Sequence, residues 1–290
     1  MLDIQPATGP GNVTIGLIGR GIGASLSPIM HEQEGQRQGL NYRYHLIDFD
    51  RLGLDDDCLE SVIEDAAALG FAGLNITYPF KQAVLPLLTQ LSPNAAAIGA
   101  VNTVVLRDGE RIGHNTDSWG FGESFRQTLA DVPRDCALLI GAGGAGAAVA
   151  HALLQGGVRQ LMIHDASPER AAALIAALRE RYHGEIESVD DLPAAAAEAS
   201  GIVNATPVGM HKHPGLPLDA ALLAPRHWVA DVVYFPLETA LIAHARGLGC
   251  RVLPGGGMAV YQAVRAFALF TGLAPDAAAM SATFEAALVA

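Results

Sequence analysis

"CALLIGAGGAGAAVAHALLQ", residues 136–155, joins two kinds of pattern through a run of glycines. Residues 136–141 form a short apolar run of strand length, and 145–155 are alanine-rich and suit a helix. Between them Gly141, Gly143 and Gly146 stand in a G-x-G-x-x-G frame, with Gly144 and Ala145 inside it. A lone match of this kind is weak. A strand before it and a helix after it give it meaning. The first glycine permits a tight turn, the second lets a pyrophosphate approach the backbone, and the third allows helix and strand to pack closely. The helix start adds free N–H groups and a partial positive charge.

Working outward, "QLMIHD" (160–165), "EIESV" (185–189), "GIVNA" (201–205), "WVADVV" (228–233) and "CRVL" (250–253) read as further strands, and 167–182 reads as a helix. That order predicts a doubly wound Rossmann dinucleotide-binding domain. Asp165 ends the second strand, 19 positions after Gly146. A carboxylate there can accept hydrogen bonds from an adenosine ribose, and its charge repels a 2′-phosphate, which favours NAD. Arg170 is the counter-argument, because a nearby arginine can accommodate that phosphate. Ser167 before Pro168 already supplies a helix cap, so Asp165 is not needed as one.

The first part of the chain also alternates strands with helices. "VTIGLIG" (13–19), "YRYHLIDF" (42–49) and "GLNIT" (73–77) read as strands; 28–38, 56–69 and a segment from about 79 read as helices. "VNTVVLRDGERIGHN" (101–115) predicts a hairpin turning at Asp108-Gly109. The fold class is therefore α/β, an N-terminal α/β substrate domain followed by the dinucleotide-binding domain. Two last helices, about 257–270 and 275–288, have no strand after them.

Composition bounds the function. With 290 residues the chain suits about two domains. The net charge of −12 argues against nucleic acid as a partner. No apolar run reaches the ~18–20 residues of a membrane span, and neither a secretory signal nor a membrane partner is expected. Cys58, Cys136 and Cys250 are far apart, without ligand-like spacing, which fits a cytoplasmic location. His211 and His213 form an isolated pair in a Gly/Pro loop, and no metal is expected.

A dinucleotide domain suggests hydride transfer, which also needs a group to take a hydroxyl proton. "FAGLNITYPFKQ" (71–82) carries Lys81 to the end of a buried strand. A lysine serves as a base where desolvation disfavours its charge. Asp117 in "GHNTDSWGF" can orient such an ammonium, although an acid at a helix start is also a common cap. Ser25 and Ser27 in "RGIGASLSPIMH" can donate to a carboxylate, Ser27 also reading as a cap before Pro28. Asn75, Thr77 and Asn102 add uncharged donors and acceptors, a set suited to a small polyhydroxylated acid. Tyr234, after a strand, suits either the cleft or a structural role.

In these residues the chain resembles the shikimate dehydrogenase family, in particular its NAD-using quinate/shikimate dehydrogenase branch. Six motifs occur in family order: S-x-S-P at Ser25 and Ser27, N-x-T-x-P-x-K from Asn75 to Lys81, A-V-N-T with Asn102, G-x-N-T-D with Asp117, V-N-A-T-P-V-G-M at 203–210, and G-x-x-M-x-x-x-Q from Gly255 to Gln262. The resemblance implies Lys81 and Asp117 as the catalytic pair, Ser25 and Ser27 on the substrate carboxylate, and Asn75, Thr77, Asn102 and Gln262 on ring hydroxyls. Tyr234 is placed with the substrate-binding residues. Thr206, Pro207, Met210, Val232, Gly255 and Met258 would line the cofactor cleft. It further implies a substrate domain of residues 1–120 onto which 257–290 pack back, an NAD-binding domain of 121–256, and a monomer or homodimer. NADP-using members carry Asn-Arg-Thr after the second dinucleotide strand; this chain has His164-Asp165-Ala166. NAD-dependent oxidation of shikimate, and of quinate as a second substrate, is expected. Amino-shikimate dehydrogenase, NADP-dependent biosynthetic shikimate dehydrogenase and a non-catalytic NAD- and cyclic-acid-binding regulator are the alternatives.

Overall fold

The computed structural model describes Ile4 and residues 11–288. It divides into two compact units: the described residues up to Thr116 together with Gln262 onward, and Asp117–Tyr261. The chain passes between them inside two helices, Thr116–Thr128 and Gly256–Thr271.

The first unit holds a six-stranded sheet of β1 (Asn12–Gly19), β2 (Asn41–Asp48), β3 (Gly73–Ile76), β4 (Gln90–Leu91), β5 (Thr103–Arg107) and β6 (Glu110–His114), in the order β2-β1-β3-β5-β6-β4. Strands β2, β1 and β3 run parallel, and β5 is antiparallel to both β3 and β6. Three of the five pairings are parallel, as alternation of strands and helices suggests, and the two antiparallel ones both involve β5. The expected hairpin turns at Asp108 and Gly109 with φ of 53° and 79°, as a two-residue primed turn requires. Both faces are covered. Ile47, Ile63, Leu74, Ile76 and Phe80 fill one core, while Ile15, Tyr42, Ala266, Phe267 and Phe270 fill the other. Phe267 stacks on Tyr42 with ring centroids 5.3 Å apart. Helix Ala277–Leu288 lies against helix Ser27–Arg37, joined by Thr283 Oγ1 donating to Gln33 Oε1 at 2.8 Å.

Two local expectations fail here. Residues after 79 form a string of turns and a short 3-10 segment, Leu85–Leu87, instead of a helix. Phe80 and Val84 are anchored in the core at a spacing that one turn satisfies, and Pro86 bars a longer helix. The first helix begins at Ser27 itself, and Ser27 does not cap it; the Ser27 N–H donates to Ser25 Oγ at 3.3 Å.

The second unit holds β7 (Cys136–Ile140), β8 (Gln160–His164), β9 (Glu185–Ser188), β10 (Gly201–Asn204), β11 (Trp228–Asp231) and β12 (Arg251–Leu253). All pairings are parallel, in the order β12-β11-β10-β7-β8-β9. This is the doubly wound order, with its switch point between β7 and β10. Every residue of β7, β10 and β11 is buried, as expected for strands covered on both faces. Among the described residues no helix is long and apolar enough to cross a membrane.

Candidate active site

In the first unit the loop Arg20–Leu26 leaves β1 and carries Ser25, and Ser27 opens the helix that follows. The Ser25 N–H donates to Ile22 O at 2.9 Å, closing a turn. Beside it, the turn after β3 carries Lys81. The Arg20 N–H donates to Tyr78 O at 3.1 Å, so the serine loop and the lysine turn are joined backbone to backbone. The turn is held from three sides. Phe80 N–H donates to Thr77 O at 2.8 Å, Val101 N–H donates to Lys81 O at 2.8 Å, and the buried Phe80 ring lies 4.6 Å from that of Phe49. Deleting such a buried aromatic costs about 3–5 kcal/mol, so the lysine stands on a firm base. Thr77 is half-buried on this turn, its own N–H donating to Ile18 O at 2.9 Å.

Asn75 and Asn102 are buried and braced together. Asn75 Nδ2 donates to Asn102 O at 3.2 Å and to Thr103 Oγ1 at 3.0 Å, while Asn75 Oδ1 accepts from Tyr44 Oη at 2.8 Å. Both amide protons of Asn75 are thus committed, and one lone pair of Oδ1 remains. Asn102 Oδ1 accepts from the Thr116 N–H at 2.7 Å and from Thr103 Oγ1 at 3.2 Å, and Asn102 Nδ2 donates to Thr116 Oγ1 at 2.9 Å. Asn102 therefore pins the residue immediately before Asp117. Gln262 is half-buried on helix Gly256–Thr271 and belongs to this unit.

In the second unit Asp117 is buried in the first turn of helix Thr116–Thr128. Burial pushes the Tyr234 hydroxyl above its ordinary value, and the charge of Asp117 pushes it further. The Tyr234 residue as a whole remains 38% exposed.

The glycine turn follows β7. A Cβ at Gly146 would lie 1.9 Å from Gly141 O, and one at Gly141, whose φ is 107°, would lie 2.8 Å from Ala205 O. Neither position takes a side chain. Gly143 meets nothing within 4 Å, which leaves its backbone open to a ligand. The first helical bond runs from Ala147 N–H to Gly143 O, so the N–H groups of Gly144, Ala145 and Gly146 precede it. This cradle fits a pyrophosphate.

Asp165 follows β8, its side chain 7% exposed. Oδ2 accepts from Ala142 N–H at 2.7 Å, and Oδ1 accepts from Ser167 N–H at 2.8 Å. Arg170 Nη2 donates to the same Oδ1 at 2.9 Å. Burial pushes this carboxyl up, but the N–H groups of Ala142 and Ser167 and the Arg170 guanidinium outweigh it and hold it below its ordinary value. The group is an anion at neutral pH. Arg170 is drawn onto it and is not directed elsewhere.

Across the switch point, Asn204 Nδ2 donates to Val208 O and to Asp231 Oδ1, each at 2.9 Å, and its Oδ1 accepts from Thr206 Oγ1 at 2.7 Å. Thr239 Oγ1 donates to Asp231 Oδ2 at 2.7 Å. Burial raises the Asp231 carboxyl against these donors. The network fixes the loop bearing Thr206, Pro207 and Met210 and the segment bearing Val232. Gly255 is pressed against Val232 O, where a Cβ would come within 2.6 Å, and Met258 is half-buried on the helix that starts next to it.

The candidate residues of the first unit thus lie on the serine loop and the start of the helix after it, on β3 and the lysine turn, just before β5, or on the returning helix. Those of the second unit lie in the first turn of helix Thr116–Thr128, on the glycine turn, after β8, on the loops after β10, β11 and β12, or at the start of helix Gly256–Thr271. Tyr44, Thr103 and Thr116, and Asn204, Asp231 and Thr239, were not anticipated. Thr103, Thr116 and Asn204 stand within the quoted motifs, whereas nothing local marks Tyr44, Asp231 or Thr239.

Three family models match the chain: a shikimate dehydrogenase substrate binding domain over residues 17–104, a shikimate/quinate 5-dehydrogenase model over 123–211, and a shikimate 5′-dehydrogenase C-terminal domain over 255–283. A shikimate dehydrogenase (NADP(+)) of Streptomyces avermitilis is 55% identical over 92% of this chain and 93% of its own. A quinate/shikimate dehydrogenase (NAD(+)) of Corynebacterium efficiens is 48% identical over 94% of this chain and 98% of its own. Among solved structures, quinate dehydrogenase from Corynebacterium glutamicum in complex with NAD matches with a TM-score of 0.89 at 45% identity, covering 94% of this chain and 99% of that one.

Proposed function

This chain belongs to the shikimate dehydrogenase family, and from that premise we propose that it oxidises shikimate, and quinate as a second substrate, with NAD. The observation that carries the choice of NAD is the half-buried anion Asp165. It holds the glycine turn through Ala142 and stands where an adenosine ribose would meet it. A second phosphate at that ribose would have to approach a carboxylate whose arginine partner is already engaged.

The cofactor fits the cradle formed by Gly141–Gly146 and, when bound, supplies the hydride acceptor. The remaining chemistry belongs to the chain. Lys81 takes the hydroxyl proton of the carbinol as its C–H bond breaks, and returns it in the reverse direction. Asp117 orients the resulting ammonium. Ser25 and Ser27 hold the substrate carboxylate, and Asn75, Thr77, Asn102 and Gln262 hold ring hydroxyls, with Tyr234 beside Asp117 at the edge of the reacting centre. The shared hydrogen-bond framework of Asn75 and Asn102 supports this reading, because it presents them as fixed groups that do not reorganise on binding. The presence of both a lysine after β3 and a buried carboxylate at Asp117 favours an enzyme over a non-catalytic sensor.

A second reading, use of NADP, is favoured by the position of Arg170 beside Asp165 and by the NADP-named relative of Streptomyces avermitilis. The test is a matrix of kcat/KM values for shikimate, quinate and an amino-shikimate analogue with each dinucleotide. The expected result is NADH formation from shikimate and quinate. A higher kcat/KM with NADP would reject the role given to Asp165, and no turnover of either acid would reject the activity.

A further inference from the structure

The serine loop has no strand or helix of its own between Arg20 and Leu26, yet it is strongly restrained. At the end of β2, the carboxylate of Asp48, 3% exposed, lies behind it. Asp48 Oδ1 accepts from Gly21 N–H at 3.0 Å and Oδ2 accepts from Ile22 N–H at 3.1 Å. The same Oδ1 accepts from Asp50 N–H at 3.1 Å. Ile22, itself buried, then offers its carbonyl to Ser25 N–H. At the base of the loop Arg20 spreads its guanidinium over an acidic segment. Nη1 donates to Asp50 Oδ1 at 2.7 Å, Nη2 to Leu54 O at 2.8 Å and to Asp56 Oδ1 at 2.6 Å, and the group lies 5.8 Å from the Phe49 ring centre.

We propose that Asp48 and Arg20 are positioning residues: they clamp the loop so that the hydroxyls of Ser25 and Ser27 are aimed at the substrate carboxylate. The proposal rests on the reading above that these serines take that carboxylate. Hydrogen bonds to an ionised acceptor are about twice as strong as neutral ones, and two successive N–H groups on one carboxylate fix the peptide planes between them. From there the order passes to Ser25 through Ile22 O and to Ser27 through Ser25 Oγ. The arginine fork adds a planar grip that a single point charge lacks. Because Arg20 N–H also reaches Tyr78 O, the clamp holds the serine loop in register with the lysine turn.

The test compares the wild type with Asp48→Asn and Arg20→Met. In the first, the amide nitrogen turns a donor toward a backbone N–H; in the second, the stem over Phe49 remains and the fork is lost. The expected result for both is a KM for shikimate raised about tenfold or more, with kcat and the dinucleotide KM within about threefold of wild type, the pattern of lost ground-state binding. Amide exchange of the peptide covering residues 20–27 should quicken in both. A shikimate KM within about threefold of wild type in both variants would overturn the proposal. So would unchanged exchange in that peptide, a readout that needs no turnover. If the wild type turns over neither acid, the functional reading falls, and the exchange rates alone decide whether the clamp exists.

Discussion

His31 lies fully buried on helix Ser27–Arg37, with its ring centre 5.0 Å from that of Tyr44 and 5.8, 6.0 and 6.2 Å from those of Tyr42, Phe267 and Phe270. Nδ1 bonds with Tyr42 Oη at 3.0 Å, and Nε2 is buried without a hydrogen-bond partner. Desolvation lowers its pKa from 6.5 to about 3. The folded state thus keeps the ring neutral, while the unfolded chain protonates it below 6.5. A depressed folded value means that this stability is complete above the unfolded value and is lost as pH falls toward the folded one. At ~1.4 kcal/mol per pH unit, the loss is about 3 kcal/mol at pH ~4.5 and about 4 kcal/mol by pH ~3. The perturbation is His31→Gln, which can still meet Tyr42 but does not titrate. Urea unfolding of both proteins at pH ~7 and ~4.5 gives two stability changes. The wild type should lose about 2–3 kcal/mol more than the variant. Equal losses would refute the reasoning.

Lys81→Met should lower kcat by roughly 10²–10⁴-fold and leave dinucleotide affinity within about threefold, measured by NADH fluorescence titration; equal losses in both would point away from proton transfer. Gly146→Ala should abolish dinucleotide binding in the same titration, since its Cβ would sit 1.9 Å from Gly141 O. Asp165→Ser should release Arg170 and raise the NADP-to-NAD ratio of kcat/KM about tenfold or more, while costing ~1–3 kcal/mol of stability through the lost Ala142 contact; an unchanged ratio would contradict the charge argument.

The doubly wound half of the fold was legible because its central strands are short, fully buried runs and its glycine turn has strict steric demands, which Gly141 and Gly146 meet against backbone oxygens. The hairpin was legible through Asp108-Gly109. The segment after 79 was not, because Pro79, Phe80 and Val84 satisfy a turn anchored by two core residues as well as the start of a helix. Ser27 before Pro28 is a good cap by local rule, yet the helix takes Ser27 into its first turn and Ser25 supplies the oxygen. Position in a motif located Asn75 and Asn102. Their bracing by Tyr44, Thr103 and Thr116 joins positions 31, 28 and 14 residues apart, and such pairings leave no local trace.

The commitment of both Asn75 protons sets a polarity on whatever the site receives. If this amide meets a ring substituent, it can only be handed a proton by it. A hydroxyl can do so, and so can an ammonium, which explains how hydroxy and amino versions of one ring would be treated alike at this contact. A methyl ether or a keto oxygen has nothing to hand over. The unused lone pair therefore screens ligands by the direction of the hydrogen bond and not by the identity of the heteroatom.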